Sequence, residues 1–209
     1  MNKSTLERAV ALTNTQLRRS NQALRKNLKR IVELSTENER TQERMDIFEE
    51  VVYETASLKE MFDSMITQGR RIFDIPYITV ALEEGYGRFY PDEYKKNGRR
   101  VFLESKNMIF APTAGLSANF PQEPRLALRG NLKEGTEFFF PAGISQKIRS
   151  EALAPLFSAR GELLGVLCFG SPAPDRFLEG YGGRFLERLS RLVSLKMELF
   201  TAAEGPLAG

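Results

Sequence analysis

Ala152-Leu-Ala-Pro-Leu-Phe157 and Leu163-Leu-Gly-Val-Leu-Cys-Phe169, set on either side of Ser158-Ala-Arg-Gly-Glu162, read as a β-hairpin. Both arms are apolar runs of strand length, and the short segment joining them carries the glycine that such a turn uses. Beyond the hairpin, from about Glu179 to Thr201, Tyr181, Phe185, Leu189, Leu192 and Val193 recur at three- and four-residue steps. That spacing predicts an amphipathic helix packed on a sheet, followed by a disordered tail over 202–209.

Upstream of the hairpin, residues 84–137 hold four of the ten prolines and six of the sixteen glycines, so short strands and long loops are expected, with a short helix near Phe138–Phe140. Tyr77-Ile-Thr-Val-Ala-Leu82 is a β-branched and apolar run and reads as a strand. Before it, Ser57-Leu-Lys-Glu60 has the spacing of a capping box. It opens a helix carrying Leu58, Met61, Phe62, Met65, Ile66, Ile72 and Phe73 on one face, and Pro76 ends that helix.

From Ser4 to about Thr55 there is neither proline nor glycine, which predicts one long helix. Val10, Leu17, Leu24, Ile31, Asn38, Met45 and Val52 fall seven apart, the spacing of the a row of a coiled coil. The companion d row, Leu6, Thr13, Ser20, Asn27, Leu34, Thr41 and Phe48, is mostly polar. A lone helix has nothing against which to bury such a stripe, so pairing with a second copy is expected, through Val10, Leu17, Leu24, Ile31, Leu34, Asn38 and Met45. Asn38 in the a row fits the use of one buried asparagine to set register. The alternative is a helix folded back on its own domain. Arg18, Arg19, Arg25, Lys26, Lys29 and Arg30 make the first part basic, and Glu33, Glu37, Glu39 and Glu43 make the next part acidic. These charges favour antiparallel contact, an acidic partner, or simply two solvated faces.

The 209 residues, 42% hydrophobic and 27% charged, suit one domain with a core plus an accessory element, here a coiled-coil helix over 1–55 and a domain over 56–201. No apolar run reaches the roughly 20 residues of a membrane-spanning helix. No signal-peptide core is seen, and a single cysteine forms no internal disulfide, so a cytoplasmic protein is expected. A net charge of +3 does not argue for nucleic acid, and Leu17, Leu24, Leu28 and Ile31 interleave the basic stretch at core spacing, unlike a free basic region.

The order helix, strand, irregular middle, hairpin, helix resembles that of a GAF domain. Closer still, Arg149-Ser-Glu-Ala-Leu-Ala-Pro-Leu156, Gly165-Val-Leu-Cys-Phe-Gly-Ser171, Pro174-Asp-Arg-Phe177 and Phe185-Leu-Glu-Arg-Leu189 resemble the GAF-like bacterial family known as domain of unknown function 484. The resemblance extends over about residues 5–200 and is specific between about 129 and 190, while residues 84–128 match nothing nameable. It implies an α+β fold, a GAF-like antiparallel sheet flanked by helices and preceded by the coiled coil.

With no histidine in the chain, bases, triads and metal sites built on histidine are excluded. Cys168 lies in an apolar strand and reads as a structural thiol, and no phosphate-binding glycine loop is present. Glu151-Ala-Leu153 spells the tripeptide that names the cyclic-di-GMP phosphodiesterases but opens a strand, and is read as coincidence. Gly180-Tyr-Gly-Gly183 reads as tight entry to the last helix, with phosphate binding as the sharper alternative. Neither an enzyme nor a cofactor or metal is expected. A concave site between the sheet and the irregular loops is expected, with Arg125, Arg129 and Arg149 as cations for a small anionic ligand and Tyr77, Phe110 and Phe139 as walls. The leading expectation is a non-enzymatic, dimeric sensor whose pocket couples to the coiled coil. The alternative is a ligand-free interaction or scaffold protein that meets protein partners through the coil.

Overall fold

Lys3–Glu54 form the helix α1, in a computed structural model that describes residues 3–95, 99–120, 122–178 and 183–204, leaving out the side chains of 3–16, 37, 38, 106 and 204. The chain divides into two compact units, Met1–Arg44 and Met45–Gly209. That division falls earlier than residue 55 because Met45, Phe48 and Val52 are buried in the core of the second unit.

Helix α2, Leu58–Phe73, begins where Ser57 turns extended and its hydroxyl accepts the Glu60 N–H at 3.2 Å. The Glu60 carboxylate reaches back to accept the Ala56 N–H at 2.8 Å, one residue earlier than in the usual reciprocal box. Asp74 ends the helix in the left-handed region, φ 52°, and Pro76 precludes its continuation.

Six strands follow: β1 Tyr77–Glu83, β2 Val101–Leu103, β3 Met108–Ala111, β4 Ala127–Arg129, β5 Ser150–Phe157 and β6 Leu163–Ser171. They form one sheet in the order β2-β3-β1-β6-β5-β4. All neighbours are antiparallel except β1 and β3, which run parallel with Val80 opposite Met108. The chain goes out to the sheet edge as β2 and turns back, so β3 enters between β2 and β1 in the direction of β1. The irregular stretch also holds 3₁₀ turns at Glu84–Phe89 and Glu104–Lys106 and the short helices α3, Thr113–Ser117, and α4, Ala142–Ser145. The short helix thus follows Pro141, and Phe138–Phe140 lie in the turn before it. Within the β5–β6 turn, Gly161 takes φ +82°, a conformation that resists a side chain. At Gly165 a Cβ would stand 2.5 Å from the Ala81 carbonyl oxygen, so glycine permits the close approach of β1 and β6.

Side chains alternate across the sheet, which divides the core in two. Ile78, Val80, Leu82, Phe110, Leu167 and Phe169 face the helices. On that side pack the end of α1, α2 and the helix α5, Gly183–Glu204, which contributes Leu186, Leu189, Val193 and Met197. Phe48, Phe73 and Phe185 stand edge to face in a chain, with centroids 5.2 and 4.8 Å apart. The opposite side, formed by Ala81, Ile109, Leu153, Val166 and Cys168, is covered by the loops and short helices between β3 and β5. No helix among the described residues is long and apolar enough to cross a membrane.

Candidate functional site

Where a cavity was expected, between sheet and loops, side chains pack. Phe139, Phe140, Leu116 and Ile148 are fully buried there, and Phe120 and Phe138 add ring contacts to Phe139 at 6.4 and 5.2 Å. The hydroxyl of Thr79 donates to the Phe139 carbonyl at 2.7 Å, tying the loop to the middle of β1. Tyr77 is partly buried against this layer. Phe110 is not part of it: an even step along β3 puts its ring on the helix side, against Tyr90 and Tyr94 at 5.5 and 4.9 Å. Phe110 and Phe139 therefore lie on opposite faces of the sheet and share no site.

The three arginines also part company. Arg129 donates to Glu151 at 3.1 Å, to the Thr136 hydroxyl at 3.2 Å and to the Asn119 carbonyl at 3.1 Å. Glu151 itself is 1% exposed and also accepts from the Thr136 hydroxyl and N–H at 2.7 and 2.8 Å. Each carboxylate oxygen thus has donors, as a buried charge requires. Arg149 donates to the carbonyls of Lys133, Gln146 and Ile148, which pins the loop before β5. Of the three, Arg125 alone stands clear of the fold, exposed beside Glu123 at 3.5 Å. One signal for Glu151 was present in the sequence: a carboxylate inside an apolar strand is buried only when paired.

Arg125 opens onto a groove of about 480 Å³ beside the β5–β6 turn, lined among others by Leu126, Phe157, Arg191, Ser194 and Glu198. Two of its polar groups serve the fold, since the Ser194 hydroxyl accepts the Phe157 N–H and Glu198 accepts the Ala159 N–H. A second groove, of about 410 Å³, is lined by Glu83, Tyr86, Thr113, Glu162, Leu163 and Leu164. Burial, followed by the charge of Glu83, pushes the Tyr86 phenol up to about 12. Cys168 is buried within β6, and burial pushes its thiol well above the ordinary range, which leaves it inert as a nucleophile. Among the described residues no group of three or more His, Cys, Asp or Glu could hold a metal ion.

The residues expected to pair copies have a different setting. Leu17, Leu24, Ile31 and Leu34 are 55, 62, 62 and 47% exposed, and Leu28, absent from the expected seam, is 63% exposed. Met45 instead packs inside the second unit. The side chains of Val10 and Asn38 lie outside the described residues, as do Gly180–Gly182 and the tail from 205.

A six-stranded sheet with α2 and α5 on one face and loops and short helices on the other defines a domain of the GAF fold. The fold is similar to a free methionine-R-sulfoxide reductase from Neisseria meningitidis, with TM-score 0.55 and 16% identity over 78% of this chain and 90% of that one. It is also similar to the GAF domain of an Acinetobacter phosphoenolpyruvate-protein phosphotransferase, with TM-score 0.53 and 15% identity over 78% and 96%. For the nlh2 GAF domain of A. aeolicus in an inactive state the values are 0.53 and 11%, over 78% and 98%. The chain belongs to the family described as protein of unknown function, DUF484, whose model matches residues 3–202. No curated relative matches it.

Proposed function

We propose that this chain is a non-catalytic regulatory module of the cytoplasm, in which a GAF-fold domain is joined to a second copy of itself through α1 and acts by contact with other proteins. The observation that carries the reading is the row Leu17, Leu24, Leu28 and Ile31, each more than half exposed. Leucine and isoleucine in line at helical spacing are stable in water when another surface covers them. The packed loop face, with Phe139 and Phe140 where a ligand was expected, favours contact over ligand sensing. Chemistry also speaks for a non-catalytic role. Reducing a sulfoxide takes two electrons, which paired thiols supply by closing a disulfide. This chain has a single cysteine, and it is buried.

Sedimentation of the full chain and of Leu24→Asp with Ile31→Asp tests the reading. A dimer that the double substitution converts to a folded monomer is the expected result; a wild-type monomer would end the proposal.

The groove holding Arg125 favours a second reading, a sensor for a small anion with an apolar body that sits between Arg125, Arg191 and Phe157. Native mass spectrometry of the protein as purified checks it. Retained mass that is lost in Arg125→Ala supports a sensor, and bare protein removes the reading.

A further inference from the structure

On α1 most of the exposed charges lie off the line of Leu17, Leu24 and Ile31, at outer heptad positions that the exposed Val32, at b, also shares. With Leu17, Leu24 and Ile31 at a, Arg18, Arg25 and Glu39 fall at b, Arg19, Lys26 and Glu33 at c, and Lys29 and Glu43 at f. Positions b, c and f point away from the partner in a two-stranded coil. Lys29 and Glu33 meet at 3.8 Å along their own helix, as an i,i+4 pair does. Arg30 flanks the seam at g, where a parallel partner offers it Ser35 at e instead of a like charge. Glu37 also flanks the seam at g, but most of the basic and acidic residues decorate outward positions, so direction is better read from the seam.

Direction follows from the seam itself. Parallel helices in register stack a on a and d on d, whereas antiparallel helices set each a against a d of the partner. In the exposed segment the a row is Leu17, Leu24 and Ile31, while the d row offers Ser20 and Asn27 before Leu34. Antiparallel pairing would spend the apolar positions on serine and asparagine. Parallel pairing stacks leucine on leucine and isoleucine on isoleucine, and burying such side chains outweighs exposed ion pairs several-fold. The seam also has an end: Met45, Phe48 and Val52 continue it as a, d and a, and all three are buried in the core of their own domain.

Resting on the dimer proposed above, we infer that two copies pair parallel and in register through Leu17, Leu24, Ile31 and Leu34, and that the shared interface stops before Met45. Single-cysteine crosslinking of the full chain tests this, since the native Cys168 is buried and silent. Mild oxidation of Leu17→Cys, Leu24→Cys and Ile31→Cys is expected to link each variant to itself, with the outward-facing Lys26→Cys linking about tenfold less. Sedimentation of the wild type separates the two possible failures. A dimer in which Leu17→Cys and Leu24→Cys do not link overturns the parallel register and leaves the dimer standing. A wild-type monomer overturns the reading on which the inference rests.

Discussion

Glu151 keeps a carboxylate inside the sheet because Arg129 and Thr136 bring three donors to it. Removing Glu151 strips the part-buried Arg129 of its ion pair and the Thr136 N–H and hydroxyl of their acceptor. Glu151→Ala is therefore expected to cost about 3 kcal/mol of stability, measurable by urea unfolding, with the loss concentrated in the β4–β5 loop region. Tyr86 makes stability depend on alkaline pH. Its phenol ionises at about 12 in the folded chain against 10.0 when unperturbed, because burial disfavours the anion. The native state thus holds the proton more tightly than the unfolded state. The associated stability is complete below about pH 10 and is lost as pH rises through 12. Melting temperature should fall across that window, and Tyr86→Phe should flatten the fall; an unchanged slope in the variant would assign the effect elsewhere. Burial raises Tyr90 in the same direction. The sequence hinted that Glu151 needed a partner but did not say which, since an arginine in a loop looks solvated and Arg129 lies 22 residues away.

At the scale of elements, legibility tracked length and local chemistry. The β5–β6 hairpin, α2 and α5 carry enough periodic positions to be read directly, and the Ser57–Glu60 box announces its helix start by spacing alone. Ser57→Ala removes that cap and is expected to cost about 1 kcal/mol in chemical denaturation, with the fold unchanged by circular dichroism. By contrast β2 and β4 have three residues each and α4 has four, too few for any period to emerge. The parallel β1–β3 pairing was hidden for another reason: alternation says which face a side chain takes, not which strand lies beside it or in what direction. The shortness of β3, four residues, also hid how the expected walls divide between the faces. Tyr77, Phe110 and Phe139 are each aromatic and near the loops, but only the register assigns Phe110 to the helix face.

For the whole molecule, the end of α1 is a core element. A chain beginning at Met45 keeps Met45, Phe48 and Val52 and is expected to melt cooperatively as a monomer. One beginning at residue 56 loses three buried side chains, at about 2–5 kcal/mol for each large apolar group by the cost of emptying a core position. Comparing the two by calorimetry gives a clear outcome: equal stability would mean that α1 contributes nothing to the domain.

The core is also closed by parts of the chain that are made far apart in time. Phe73 sits between Phe48 and Phe185, and Arg188 reaches Glu49 through two contacts, at 2.6 and 2.7 Å. On the ribosome, at about 5–20 residues per second, the segment around Phe48 emerges roughly ten seconds before α5 follows it. During that interval the nascent domain cannot close, yet Leu17, Leu24 and Ile31 have already been synthesised. Neighbouring ribosomes on one message hold such half-made chains side by side, so the pairing proposed above would begin before either copy has finished folding.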